Sequence, residues 1–258
     1  MDVLIDRREL LEKARERNLT LGMMEKDYVL GWLLFGLAEI NGLTFKGGTA
    51  LSKVYFPRIW RLSEDLDFVY AGYFQGIVAR LAEIFDRIQN ASRIRLTLKR
   101  QHSNPGYLQL KIQYEALLQK NWIKVDVTRE TPIDRICSRK ISQTYSDYPS
   151  FKVRVENIEE IGAQKIRSLL ERKKSRDYYD VWQLMQLRPD KSRLKGLLRK
   201  KCEYKGIEFM GLGEMFPDDL LGILEGYWEK ELWRLVYPVP ELQKVISGLK
   251  SELKFLMK

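Results

Sequence analysis

Asp65 and Asp67 are the residues of this 258-residue chain best suited to chemistry. They alternate with Leu66 and Phe68, so in a strand both carboxylates point to one face and the apolar side chains to the other. Paired carboxylates on one face can hold a divalent cation, and hard oxygen ligands suit Mg²⁺ or Mn²⁺. Just upstream, Lys46-Gly47-Gly48-Thr49 forms a glycine turn whose backbone amides open a helix. Such a turn stabilises an anion such as a triphosphate. It is not a Walker-type loop, which needs GxxxxGK followed by Ser or Thr. Arg61 and Ser63 share the strand parity of the two acids and could reach a phosphate beside the metal. A third carboxylate is Asp126, in Ile123-Lys124-Val125-Asp126-Val127. There Ile123, Val125 and Val127 take the apolar face and leave Lys124, Asp126 and Thr128 on the other; Glu115 and Glu130 compete for the same role. Metal beside phosphate is the chemistry of nucleotidyl transfer.

These groups need elements to hold them. Periodicity predicts amphipathic helices over about Asp6–Asn18 and Met23–Ile40, the second stopped by Gly42. A short strand and turn follow at Leu43–Gly48. Thr49 is expected to cap the next helix, which ends near Pro57. Leu66–Tyr70 reads as a strand and Tyr73–Asn90 as a helix. Two alternating runs flank Ser103-Asn104-Pro105-Gly106, a hairpin signal, and Asn121–Glu130 is the next strand. Beyond residue 150 the pattern turns helical, over about Ile158–Lys173, from Ser175 onward with Ser175 as cap, over Lys191–Tyr204, over Pro217–Leu235, and once more after Pro240. The expected fold is α/β (α+β): a sheet domain over residues 1–150 and a helical domain over 151–258.

In order along the chain, LysGlyGlyThrAlaLeu, the RxSxDxD run from Arg61 to Asp67, the strand with Asp126, and the stretch from Lys165 through Arg172 to Arg176-Asp177-Tyr178-Tyr179-Asp180 form one pattern. The pattern resembles the nucleotidyltransferases of the AbiEii/AbiGii toxin family, a minimal branch of the polymerase-β-like superfamily. The resemblance implies a polymerase-β-like sheet domain with a helical C-terminal domain. It implies metal on Asp65, Asp67 and Asp126, and the nucleotide triphosphate against Lys46, Gly47, Gly48, Thr49, Arg61 and Ser63. It sets Lys165 against the phosphates, with Arg172 seven residues on along the same helix face and Arg176 nearby. It marks both Asp177 and Asp180; Asp177 reads as a brace and Asp180 as a member of the site, with Arg176 or Lys165 as its cationic partner. The activity implied is transfer of NMP from an NTP to an acceptor hydroxyl, chiefly the 3′ end of tRNA. The setting implied is a type IV toxin–antitoxin system with a cognate antitoxin. A protein hydroxyl is the alternative acceptor, and a non-catalytic RNA-binding module the rival from another class.

Composition narrows the field. A net charge of +10, with basic runs at Arg172-Lys173-Lys174 and Arg199-Lys200-Lys201, favours a polyanionic partner such as RNA over a merely solvated surface. His102 is the single histidine, which excludes histidine-pair and zinc–histidine mechanisms within one chain. Cys137 and Cys202 lack metal-site spacing and suggest no disulfide scaffold. No apolar run is long enough to span a bilayer, and the N-terminal residues lack a signal-peptide core, so a cytoplasmic protein without membrane contact is expected. Tyr178, Tyr179 and Trp182 at helical spacing read as core ahead of base-stacking platforms.

Overall fold

The computed structural model describes residues 5–56 and 61–257, and the chain divides after Glu156 into two compact units. The first is a mixed sheet with helices. Helix α1 (Arg7–Glu16) starts at Asp6, whose carboxylate accepts from the Glu9 N–H at 2.8 Å, and α2 (Leu21–Leu37) starts at Thr20, which caps Met23. Strand β1 (Thr44–Lys46) runs straight into α3 (Gly47–Ala50), which continues as a π-type turn over Leu51–Tyr55. Then come β2 (Asp65–Val69), α4 (Phe74–Ser92), β3 (Arg95–Asn104), β4 (Tyr107–Glu115), β5 (Asn121–Thr128), β6 (Ile136–Lys140) and β7 (Lys152–Glu156).

The seven strands lie in the order β3-β4-β5-β2-β1-β7-β6, with β2–β5 and β1–β7 parallel and the other pairs antiparallel. Alternation makes the sheet two-faced. Leu66, Phe68, Leu108, Leu110, Ile112, Ile123, Val125 and Val127 are buried on the face that meets α2 and α4. The alternate residues of β2, β4 and β5 lie on an open face. Helix α4 offers the apolar stripe Phe74, Ile77, Leu81, Ile84 and Ile88, spaced three and four apart.

Helix α2 was expected to be amphipathic; it is buried on all sides instead. Gly31 permits this, since a Cβ there would lie 2.1 Å from the Tyr148 hydroxyl, and Gly36 lets Ile84 approach. Its acids are used internally. Asp27 pairs with Lys53 at 2.9 Å and accepts from Tyr145 at 3.1 Å, and Glu25 accepts the Leu118 N–H at 2.6 Å. The Asp27–Lys53 pair ties the helix to the π-type turn behind Gly47-Gly48, a structural role for the Glu25-Lys26-Asp27 cluster.

Several expectations change in detail. Thr49 is not a cap: it lies inside α3, whose N-cap is Lys46. The expected helix end near Pro57 lies outside the described residues. Arg61 and Ser63 precede β2 and are not on it. The hairpin turn is Pro105-Gly106, with the Asn104 carboxamide accepting from the Gly106 N–H at 2.9 Å. Strand β7 belongs to the sheet unit and lies wholly beyond residue 150.

The second unit is helical. Helix α5 (Ile158–Glu171) is capped by Asn157, α6 (Ser175–Gln186) begins after Lys174, and α7 (Lys191–Lys205) is capped by Asp190 and ends at Gly206, φ +65°. Ser175 is thus the first residue of its helix and not its cap. Gly162 brings α5 within van der Waals reach of Leu184 on α6 and Leu194 on α7. The single helix expected over 217–235 is broken. After α8 (Leu212–Met215), that region forms α9 (Leu220–Glu225) and α10 (Trp228–Leu232), parted at Gly226-Tyr227, and α11 (Leu242–Glu252) follows Pro240. No helix among the described residues is long and apolar enough to cross a membrane.

Candidate active site

The parallel pairing of β2 and β5 sets Asp67 directly opposite Asp126, and Asp65 opposite Lys124. Register partners share a face, so the three carboxylates and the lysine stand together on the open side of the sheet. On β1, Lys46 is the register partner of Asp67 on the other side, and its ammonium donates to the Thr128 hydroxyl at 2.7 Å. The competing acids go elsewhere. Glu130 lies 3.9 Å from Lys46, and Glu115 pairs at the far end of β4 with Arg95 and Lys120.

The glycine turn abuts this cluster. Gly47 has φ +77°, which favours glycine, and a Cβ there would lie 2.4 Å from Oδ2 of Asp67. The turn and the metal-type carboxylate therefore touch through the hydrogen side of Gly47. Thr49 fastens the turn from behind: its hydroxyl donates to the Asp65 carbonyl and meets the Ser63 hydroxyl at 2.5 Å, with Thr49 fully buried. Arg61 is buried as well. Its guanidinium lies against Gly48, and one N–H donates to the Leu62 carbonyl at 3.0 Å.

Lys124 binds the acids electrostatically, 2.8 Å from Asp126 and 3.6 Å from Asp65. Tyr107 also donates to Asp126, as does Gln109 at 3.0 Å. Burial alone would raise the Asp126 pKa, but the bonds from Lys124, Tyr107 and Gln109 outweigh it and hold the carboxyl below its ordinary range. The Tyr107 hydroxyl is pushed up to about 12, by burial and then by the same bond. Sequence reasoning put Lys124 on this face without giving it a role, and passed over Tyr107 and Gln109. Their signal was present, since β4 and β5 alternate strictly and the polar positions of one strand must face those of the next.

A divalent cation fits the donor chemistry of this cluster, which is carboxylate oxygen on a half-solvated face beside an amide-rich turn. As the side chains stand, no three Asp, Glu, His or Cys groups among the described residues converge closely enough to enclose an ion. The Lys124 ammonium supplies the positive charge that Asp65 and Asp126 share.

The second cluster lies wholly in the helical unit. Lys165 on α5 reaches Asp180 at 2.8 Å and Asp177 at 3.4 Å, both on α6. Arg172 grips Asp177 with two bonds, Nε at 2.7 Å and Nη2 at 3.2 Å. Both acids are fully buried, whereas the Arg172 side chain is 46 % exposed. Asp177 and Asp180 both pair with the cations of this cluster. Arg176 is exposed at the helix start, and of the two partners expected for Asp180 it is Lys165 that pairs with it. Tyr178 and Tyr179 are core, with the Tyr178 hydroxyl donating to the Met215 carbonyl at 2.6 Å.

The family model described as nucleotidyl transferase AbiEii toxin, of type IV toxin–antitoxin systems, matches residues 32–245. The chain belongs to the AbiEii family. It is therefore a nucleotidyltransferase, as its motifs led us to expect. The fold is shared with solved structures of low sequence identity. MenT4, a nucleotidyltransferase toxin from Mycobacterium tuberculosis, superposes with a TM-score of 0.76 at 18 % identity, covering 98 % of this chain and 90 % of that one. JHP933 from Helicobacter pylori gives 0.61 at 17 % identity, covering 92 % and 93 %. A putative nucleotidyltransferase from H. pylori gives 0.60 at 17 %, covering 92 % and 96 %. No curated protein sequence matches the chain.

Proposed function

We propose that this AbiEii-family protein transfers NMP from an NTP to the 3′ hydroxyl of an RNA, with tRNA as the first acceptor to test. The observation that carries the reading is the Asp67–Asp126 register beside a glycine turn that touches Asp67. Asp65, Asp67 and Asp126 would hold Mg²⁺ or Mn²⁺, and a bound metal supplies charge stabilisation for the triphosphate and acidifies the attacking hydroxyl. The amides of Gly47 and Gly48 take phosphate oxygens at the helix start. Thr49, Ser63 and Arg61 hold that turn in place. The acceptor oxygen bonds to the α-phosphorus, the bond to the bridging oxygen breaks, and pyrophosphate leaves. The hydroxyl proton departs by way of Asp126. The excess of basic residues supports a polyanionic acceptor, and a type IV setting implies an antitoxin as genetic partner.

The test is incubation with tRNA, Mg²⁺ and each α-labelled NTP in turn, beside Asp67→Ala. Label on tRNA that vanishes in the variant is the expected result. Label on protein would move the acceptor to a protein hydroxyl. Salt-sensitive RNA binding without transfer, indifferent to Mg²⁺ and Asp67, would overturn the catalytic reading.

A further inference from the structure

The open face does not end at the acids. Across the sheet, Asp65 is followed by Lys124 on β5, Lys111 on β4 and Arg100 on β3, each the register partner of the one before. The adjacent row runs Lys46, Asp67, Asp126, Gln109 and His102 across five strands. Along β5 the same face carries Trp122, paired with Gln113 and then Thr97. Arg100, Lys111 and His102 are exposed, and Trp122 is 37 % exposed, a large ring left on the surface. The Lys111 ammonium stands 4.6 Å from the centroid of that ring. A register shift between Leu98 and Arg100 adds the exposed Lys99 to the edge strand β3. The acids thus stand at one side of a continuous polar platform of cations, amides and one aromatic ring.

We propose that this platform is the acceptor track: it takes the single-stranded 3′ end of an RNA, one base stacked on Trp122 and phosphates on Lys111 and Arg100. Sheet faces with exposed aromatics bind single strands in this way, the ring serving any base and the cations tracking the backbone. Four residues of β5 separate Trp122 from Asp126, about 13 Å at strand rise. A stacked strand advances about 3.4 Å per nucleotide. The base on Trp122 is therefore roughly three or four nucleotides back from the reacting end. The inference rests on the reading of RNA as acceptor and adds where that RNA lies.

The test measures binding of 5′-labelled single-stranded RNA by fluorescence anisotropy, with Mg²⁺ present, for a dodecamer and a dinucleotide. Trp122→Ala should weaken the dodecamer about tenfold, from the loss of one base stack, and leave the dinucleotide unchanged; Trp122→Phe should restore most of the loss. The double variant Lys111→Ala/Arg100→Ala should weaken binding and flatten the log–log salt slope by about 1.4, two phosphates at about 0.7 each. Wild-type affinity and slope in these variants would overturn the track, as would a loss in Trp122→Ala confined to NTP binding. Transfer to RNA with an unchanged KM in Trp122→Ala would sink the track and leave the reaction standing. RNA binding through Trp122 without any transfer would do the reverse.

Discussion

The two charged clusters of this molecule use the same kinds of residue in opposite ways. In the helical unit the acids are fully buried, and they pair with Lys165, largely buried, and with Arg172, half-exposed. On the sheet the acids themselves line the open face, with the Asp65 side chain 44 % exposed, and the part-exposed Lys124 balances Asp65 and Asp126. A buried acid that satisfies a cation is structural in its energetics, because removing either partner strands the other. A half-solvated acid beside a glycine turn can change partners at small cost. We infer that chemistry belongs to the sheet and support to the helices, and each half of that inference can be broken separately.

The largest effect belongs to the sheet. Asp67→Asn should lower nucleotidyl transfer by about 10³ or more, on the scale of lost electrostatic stabilisation in preorganised sites. Its urea midpoint should move little, since the amide keeps the shape of the carboxylate. A variant that unfolds instead would place Asp67 with the braces and erase the distinction. Asp180→Ala should do the opposite, costing about 3–5 kcal/mol of stability by leaving Lys165 poorly compensated in a buried setting. Chemical denaturation of the variant checks this. An inactive Asp180→Ala protein of full stability would mean that the acid works directly on substrate.

A smaller effect sharpens the sheet side. Gly47→Ala forces a side chain into left-handed backbone, at about 1–2 kcal/mol, and drives its methyl onto the Asp67 carboxylate. Displacing a positioned group by about 1 Å can cost on the order of 10² in rate. We therefore expect a folded protein with a modestly lowered melting point and turnover reduced about a hundredfold. Equal losses in stability and activity for Gly47→Ala and for Gly196→Ala, at an exposed glycine of the helical unit, would remove the special role of the turn.

Much of this was legible because period two is unforgiving. The strict alternation of β4 and β5 and the Asp-Leu-Asp-Phe run dictate faces before any pairing is known, whereas the two caps read from the sequence, Thr49 and Ser175, both lie inside their helices. What escaped was decided by tertiary context. Strand β6 is largely exposed and polar in pattern, so no buried stripe announced it. Helix α2 reads as amphipathic, yet its two acids, Glu25 and Asp27, are buried with Lys53, Tyr145 and the Leu118 amide as partners. The Thr49 hydroxyl faced a choice between capping its own helix and tying Asp65 in place; only the neighbouring strand settles it. Propensity placed Thr49 near a helix start, and packing gave it a different partner.

The smallest expected effect concerns an acid that belongs to neither cluster. Asp147 accepts from the Tyr28 hydroxyl at 2.6 Å, but its Oδ1 is buried without a hydrogen-bond partner among the described residues. Burial raises its pKa, ahead of the opposing bonds from Tyr28 and the Ile5 N–H. The native carboxyl therefore holds its proton at a pH where the unfolded one, near the ordinary value of 3.8, has released it. The native state binds more protons across that window, so this group makes stability fall as pH rises from the ordinary value through the raised one. Asp147→Asn removes the titration while keeping an oxygen for Tyr28. Relative to the parent its stability should rise with pH over that window and lie within about 1 kcal/mol of it at neutral pH, on the scale of one hydrogen bond. A shallower acid dependence in the variant than in the parent would show instead that Asp147 is stabilised as an anion and would overturn the raised value.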